Sequence, residues 1–305
     1  MRSGRASKTA AHNALFRSLE ARRQSDQRVV NDQLAEGFLP WRFRLLAVPA
    51  HWRPWHDAIT RIIDRQWPGV RPTVLARTRL IDTIVGELAP MTPQVVILGA
   101  GLDTRAWRLP QLEGVAVFEV DHPDTQRRKQ ARLRRRDLDM THVQFVPTDF
   151  NLGRLDAAML RAGFDPLLPT LFLWEGTTNY LSAEAVDATL RWCAQAPAGS
   201  QLVFTYINAD VLDDPSRYVG AEQVFATLRR ADEPMTFGLA PDSLAGYLAE
   251  RGLQLVADVD AETFRRRTYG PASAAIRGHE FYRVTHARIA SAAVLPTNHP
   301  TAERP

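Results

Sequence analysis

After residue 93 the chain alternates short apolar runs with amphipathic stretches of helical spacing. The apolar runs, at 94–99, 115–120, 143–147, 170–175, 201–207, 253–258 and 280–286, read as strands. Stretches such as 152–162, 183–195 and 241–251 read as the helices between them. Val, Ile and Leu in the first run stand without polar alternation, the mark of a strand covered on both faces. Strands alternating with helices predict an α/β fold, a largely parallel, doubly wound sheet.

Before residue 93 the pattern differs. Residues 7–28 carry Leu15, Phe16 and Leu19 on one side of an expected helix, and 74–88 form a second, with Leu75, Leu80, Ile81 and Ile84 inward and Arg77 and Arg79 elsewhere. The segment 32–67, rich in aromatics and prolines, suits core or lid packing. We expect residues 1–90 to form a helical cover within the same domain, 91–290 the core, and 291–305 a disordered tail. The segment 210–235 is expected to join the cover as a lid.

Ligands of doubly wound sheets sit beyond the carboxyl ends of the strands, so polar residues there carry the chemistry. The first strand ends in Gly99-Ala100-Gly101, the second in Asp121; the third is followed by Asp149-Phe150 and the fourth by Glu175-Gly176. The glycine turn marks a nucleotide-type pocket, but the third glycine of a dinucleotide fingerprint is replaced by Thr104. Asp103 inside the turn would repel a pyrophosphate, whereas a cofactor bearing an ammonium group tolerates it. Asp121 lies about 20 residues beyond the turn, the separation of an acid that binds a ribose diol. It is preferred over Glu119 because it is nearer the strand end.

Composition narrows the setting. The single cysteine, Cys193, forbids an internal disulfide and points to a reducing, cytoplasmic environment. No apolar stretch is long enough for a membrane span, and the scattered histidines show no metal-ligand spacing. Net charge is +4, carried almost wholly by arginine, with the densest cluster at 127–136. That cluster reads as a solvated helix face before an electrostatic lure or a nucleic-acid surface.

The residues then resemble those of a known family, the leucine carboxyl methyltransferase-like branch of the class I S-adenosylmethionine-dependent methyltransferases, including bacterial O-methyltransferases of the tetracenomycin type. Ser7-Lys8-Thr9-Ala10 and Leu75-Ala76-Arg77-Thr78-Arg79 are similar to segments whose basic residues approach the cofactor carboxylate. Ile97 to Arg105 resembles the glycine motif, Phe118 to Pro123 the ribose-binding strand end, Asp149-Phe150 the adenine-side pair, and Trp174-Glu175-Gly176 with Tyr180 the fourth motif. Thr178 and Asn179 are more polar than in relatives, and Phe150 more often stands as Leu.

The resemblance implies a Rossmann-like seven-stranded sheet with helices on both faces and an antiparallel last strand, near 280–286. It implies S-adenosyl-L-methionine as cofactor and S-adenosyl-L-homocysteine as product. Lys8, Arg77, Gly99, Gly101, Asp121, Asp149, Phe150 and Glu175 are the expected cofactor-binding residues, and Tyr180 and Tyr206 the acceptor-pocket candidates.

A small-molecule carboxylate is the expected acceptor, since it is already ionised and the strand ends offer no evident general base. Hydroxyl methylation is the alternative, with His122 as first candidate base. A nicotinamide-dependent oxidoreductase is disfavoured by Thr104 and Asp103; the alternative of another class is a cofactor-binding regulator without activity or a partner-binding module. Neither nucleic acid nor membrane is an expected partner. Methyltransferases of exocyclic amines often place Asn-Pro-Pro-aromatic after the fourth strand, where this chain has Glu175-Gly176-Thr177-Thr178.

Overall fold

The computed structural model describes residues 8–150 and 155–290. Seven strands form one sheet: β1 (Gln94–Leu98), β2 (Ala116–Asp121), β3 (Val143–Pro147), β4 (Thr170–Trp174), β5 (Gln201–Ile207), β6 (Leu253–Asp260) and β7 (Tyr282–Ile289). Their order is β3-β2-β1-β4-β5-β7-β6. The first five pair in parallel, with Gln94 opposite both Ala116 and Thr170. β7 runs antiparallel to both β5 and β6, so the last strand has the expected direction, between its neighbours rather than at the edge. Strand order reverses at β1 and β4, which places the crevice over their carboxyl ends.

The described helices are α1 (Lys8–Ala21), α2 (Trp41–Ala47), α3 (Arg53–Gln66), α4 (Val70–Leu88), α5 (Arg105–Arg108), α6 (Pro123–Arg134), α7 (Leu155–Arg161), α8 (Ala183–Cys193), α9 (Asp210–Asp213), α10 (Ala221–Arg230), α11 (Leu244–Ala249) and α12 (Ala261–Tyr269). Alternate residues of each buried strand feed opposite layers. Val96, Leu98, Phe118, Phe172 and Phe204 pack with Val186 and Leu190 of α8 and Leu244 and Leu248 of α11. Val95, Ile97, Val117, Leu171 and Val203 pack with Ile81 and Val85 of α4 and Phe264 of α12. A further cluster binds the cover to the core, joining Leu15, Phe16 and Leu19 of α1 to Leu75 of α4, Leu102 and Leu133.

Several expected boundaries move. The helix foreseen over 7–28 stops at Ala21, where Glu20 accepts the Val29 N–H (2.8 Å) and Arg28 Nε donates to the Arg23 carbonyl (2.6 Å), doubling the chain back. α4 begins four residues early, because Gly69 at φ +73° turns the chain directly into it. Pro241 opens a tight three-residue turn ahead of α11, which shortens the helix foreseen over 241–251. Of the helix foreseen over 152–162, residues 152–154 lie outside the described residues, as does the tail 291–305.

Arg77 requires a correction: α4 turns it inward with the apolar residues, leaving only Arg79 at the surface. A guanidinium is costly to bury alone, and Arg77 is buried because carboxylate and aromatic partners meet it there.

Candidate functional site

The carboxyl ends of β1, β2 and β4 floor a cavity of about 400 Å³. It brings together Arg77, Gly99, Gly101, Asp121, Asp149, Phe150, Glu175 and Tyr180, eight of the ten expected site residues, under a roof from α1 and the segment 232–236. Lys8 opens α1, but its side chain lies outside the described residues.

The glycine turn is built for close approach. Gly99 at φ +65° lies so near the loop after β4 that a Cβ would sit 2.2 Å from Thr177 Oγ1, and Gly101 follows at φ +48°. Backbone in this region is costly for other L-residues. Asp121 braces the turn across the strands: its carboxylate accepts the Gly101 N–H with one oxygen and the His122 N–H with the other (2.6 Å). Burial raises the Asp121 carboxyl above its ordinary value, opposed by these two N–H groups.

Glu119, the competing acid, is fully buried and away from the cavity, with Lys129 Nζ at 2.6 Å. Glu119 and Asp121 stand two apart on one face of β2, so depth along the strand divides them: Glu119 lies within it and Asp121 at its carboxyl end. Burial pushes Glu119 up to about 7 despite the ammonium beside it.

On the other side of the turn stands a buried ion-pair chain. Arg77 Nε donates to Glu175 Oε1 (2.8 Å), Arg105 Nη1 meets Glu175 Oε2 (2.7 Å) and Asp103, and Arg105 Nε meets Asp82 (2.8 Å). Burial alone would raise Glu175, but Arg105 and Arg77 hold it below the ordinary range. Asp103 is likewise lowered by Arg105 against the pull of burial. The chain fixes Glu175 and Arg77 in place, so the cavity meets preset charges.

Phe150 stacks on Trp174 at 6.3 Å, a flat wall beside Asp149. His122 caps α6 with Nδ1, which accepts the Asp124 N–H (3.2 Å).

A second cavity of about 80 Å³ adjoins the first, and the two share Thr9, Asn13, Arg77, Gly176 and Tyr180. Its wall is mostly apolar, with Phe16, Trp67, Val70, Val74, Val224, Leu228 and Met235. Its polar groups include Tyr180, Tyr282 and His279. The Arg77 guanidinium lies 5.1 Å from the Tyr282 ring. Burial raises the Tyr180 and Tyr282 hydroxyls, and burial with the Arg77 and Arg265 charges pushes His279 down to about 3. At neutral pH this wall therefore presents two hydroxyl donors and an uncharged imidazole.

Tyr206 stands apart from the other expected residues. It lines neither cavity; its hydroxyl donates to Asp258 of β6 (3.0 Å), a carboxylate also held by Arg283 (2.7 Å). Tyr206, the last residue but one of β5, is buried in the core layer with Phe204, Phe237 and Leu239 instead of opening at the strand end.

Sequence reasoning gave no role to Arg105, Glu233, His279 or Tyr282. Glu233 accepts from both the Thr9 N–H (3.1 Å) and the Thr9 hydroxyl (2.6 Å), tying the segment 232–236 to α1 over the cavity. His279 owes its place to Gly278 and Gly69, whose backbones touch; a Cβ on Gly69 would fall 2.0 Å from the Gly278 carbonyl oxygen. Only Arg105 had a usable signal, its position directly after the glycine turn.

A model of the leucine carboxyl methyltransferase family matches residues 10–194. A protein of Bacillus subtilis strain 168, provisionally named an S-adenosyl-L-methionine-dependent methyltransferase, is 32% identical over 186 residues, 60% of this chain and 61% of its own length. A Mycobacterium marinum protein with the same provisional name is 34% identical over 204 residues, 62% of this chain and 64% of its own. The chain thus spans less than two thirds of these relatives' length. A solved structure from Thermobifida fusca, provisionally described as a methyltransferase, superposes with a TM-score of 0.59 at 14% identity, covering 92% of this chain and 94% of that one. A DUF574 family protein from Streptomyces avermitilis gives 0.55 at 20% identity, covering 77% and 90%. These likenesses are of fold, that of the class I Rossmann-like methyltransferases. The family match takes in the arginine helix, the glycine turn and the fourth-strand glutamate, and the chain belongs to the leucine carboxyl methyltransferase family.

Proposed function

We propose that the chain is an S-adenosyl-L-methionine-dependent O-methyltransferase that forms a methyl ester on a small-molecule carboxylate. The observation that carries this reading is the continuity of the two cavities across Arg77, Gly176 and Tyr180, a large one edged by charge and a small one walled by apolar groups.

The larger cavity fits the cofactor. Small-molecule sites hold roughly 300–1,000 Å³ and orient their ligand with few polar groups. Asp121 retains lone pairs for the ribose hydroxyls beyond the two N–H bonds it accepts. Asp149 is assigned the adenine amino group and Phe150 a face of the purine. Glu175 is assigned the methionine ammonium. Arg77 spends Nε on Glu175 and keeps terminal amino groups for the methionine carboxylate. Lys8 is assigned the same carboxylate from the start of α1. Gly99 and Gly101 let the backbone meet the cofactor without a Cβ between them.

When bound, S-adenosyl-L-methionine supplies an electrophilic methyl group on a sulfonium, displaced in line by the acceptor oxygen to leave S-adenosyl-L-homocysteine. The second cavity then holds the acceptor, with the Tyr180 and Tyr282 hydroxyls as donors to a carboxylate and the apolar wall excluding water. Such positioning is worth about 7–11 kcal/mol of a barrier without any proton transfer.

Support for a carboxylate over a hydroxyl acceptor comes from the titratable groups. His279, pushed down to about 3, is a weak base, and Tyr180 is held protonated. His122 lines the larger cavity but not the smaller one, and its Nδ1 is committed to the α6 cap.

The test is transfer of labelled methyl from the cofactor to panels of carboxylates and phenols, followed by mild base. Label released as methanol supports the ester; base-stable label would replace it with the ether reading. Tyr180→Phe is expected to raise KM for the acceptor while leaving cofactor affinity unchanged.

A further inference from the structure

The cover carries an apolar face that no described part of the chain meets. Trp41 is 72% exposed, Leu45 63%, Val48 45% and Trp52 61%. On a helix, residues four and then three apart fall on one side, so Trp41, Leu45 and Val48 make a continuous outer stripe, extended by Trp52 at the start of α3. The opposite side of α2 is committed: Phe43 packs at 5.0 Å from the His12 ring, and Ala47 is fully buried. Single exposed apolar residues are ordinary, but two tryptophans, a leucine and a valine grouped together mark a contact surface.

Charge around the stripe is predominantly positive, and the carboxylate that follows it, Asp57, is paired with Arg53 (3.9 Å). Residues 41–56 contain Arg42, Arg44 and Arg53 and no carboxylate. The C-terminal half of α6 lies alongside: Arg132 donates to the Phe38 carbonyl just before α2, and Arg136 packs so close to Gly37 that a Cβ there would meet its guanidinium. Arg132 is pushed below its ordinary value by burial and by the neighbouring charges of Arg128, Arg135 and Arg44. The arginine cluster of 127–136 therefore borders the tryptophan stripe as a rim.

We propose that this face docks on an anionic phospholipid surface, with Trp41, Leu45, Val48 and Trp52 entering the headgroup region and Arg42, Arg44, Arg132 and Arg135 meeting lipid phosphates. Lipid is favoured over nucleic acid because the centre of the patch is aliphatic and indole side chains rather than further cations. Basic side chains around an apolar, tryptophan-bearing helix face are the composition of interfacial helices. The docking is peripheral, in keeping with the absence, among the described residues, of any helix long and apolar enough to span a bilayer.

The experiment is co-sedimentation of the full chain with phosphatidylcholine vesicles, with and without phosphatidylglycerol, following tryptophan fluorescence. Binding and a blue shift are expected only with the anionic lipid, weakening as salt screens the arginines. Trp41→Ala with Leu45→Ala and Trp52→Ala should lower partitioning at least about tenfold. Arg44→Gln with Arg135→Gln should lower it further in low salt than in high salt. All five positions are exposed, so circular dichroism should match the parent. No binding to anionic vesicles, equal binding to neutral ones, or undiminished binding by the apolar variant would overturn the proposal. So would a concentration-dependent dimer in vesicle-free buffer that the same variant abolishes, since a second copy would then own the face.

Discussion

Asp121→Asn is the sharpest probe of the cofactor assignment, because the substitution keeps shape and removes only charge and half the acceptor capacity. In the parent, each carboxylate oxygen holds one backbone N–H, from Gly101 and from His122, and the remaining lone pairs are free for two ribose hydroxyls. The amide must set its NH₂ against one of those two N–H groups, so one brace and one hydroxyl contact are lost together. A hydrogen bond to a charged group is worth about 1.5–3 kcal/mol. Losing one therefore weakens binding about 10- to 100-fold, at 1.4 kcal/mol per decade. Calorimetric titration with S-adenosylhomocysteine measures this directly. Glu119→Gln is the matched control, two residues away on the same strand but outside the cavity, and should bind within about twofold of the parent. Asp121→Asn binding as tightly as the parent, or Glu119→Gln weakening as much, would refute the assignment.

Because burial raises the Asp121 carboxyl, cofactor affinity should fall on acidification at a higher pH than for an ordinary aspartate, which titration across pH would show. Phe150→Ala should weaken cofactor binding about tenfold, since stacking on a base contributes roughly 1–3 kcal/mol, and unchanged affinity would remove Phe150 from the adenine site. Lys129→Met strands a fully buried Glu119 and should cost about 3–5 kcal/mol in urea unfolding; a loss under 1 kcal/mol would mean the pair is not formed. The Glu119 carboxyl is raised in the fold, so its contribution to stability is complete below its ordinary value of 4.5 and is lost as pH rises through about 7. Glu119→Gln should flatten that part of the stability profile, read from thermal melts at several pH values. Gly99→Ala, which would force a Cβ to within 2.2 Å of Thr177 Oγ1, should lower both melting temperature and cofactor affinity.

The parallel sheet was legible because buried strands advertise themselves: β1 and β4 are unbroken apolar runs whose ends carry the ligand residues. Asp121 could be found by counting from the glycine turn, and the choice over Glu119 followed from its place at the strand end. Periodicity failed at Arg77, where an arginine on an amphipathic helix reads as solvated until its long-range partner Glu175 is known. It failed at Tyr206, whose hydroxyl is claimed by Asp258, 52 residues away. His279 had no local signal, since its burial depends on Gly69 meeting Gly278 across more than half the chain. Of the segment 210–235, residues from Val224 to Met235 line the two cavities, and which of their side chains face inward is set by packing against α1 and Trp67.

The contact of Gly69 with Gly278 joins the walls of the smaller cavity. It fixes the start of α4, the helix that carries Arg77, against the loop that carries His279 and leads into Tyr282 of β7. A Cβ on Gly278 would also meet the carbonyl oxygens of Pro68 and Val219, so Trp67 and the segment leading into α10, which carries Val224 and Leu228, belong to the same joint. Under the proposed reading, exchanges at Trp67, Val224 or Leu228 that shift this joint are expected to disturb Arg77 as well, so acceptor range and cofactor affinity should change together.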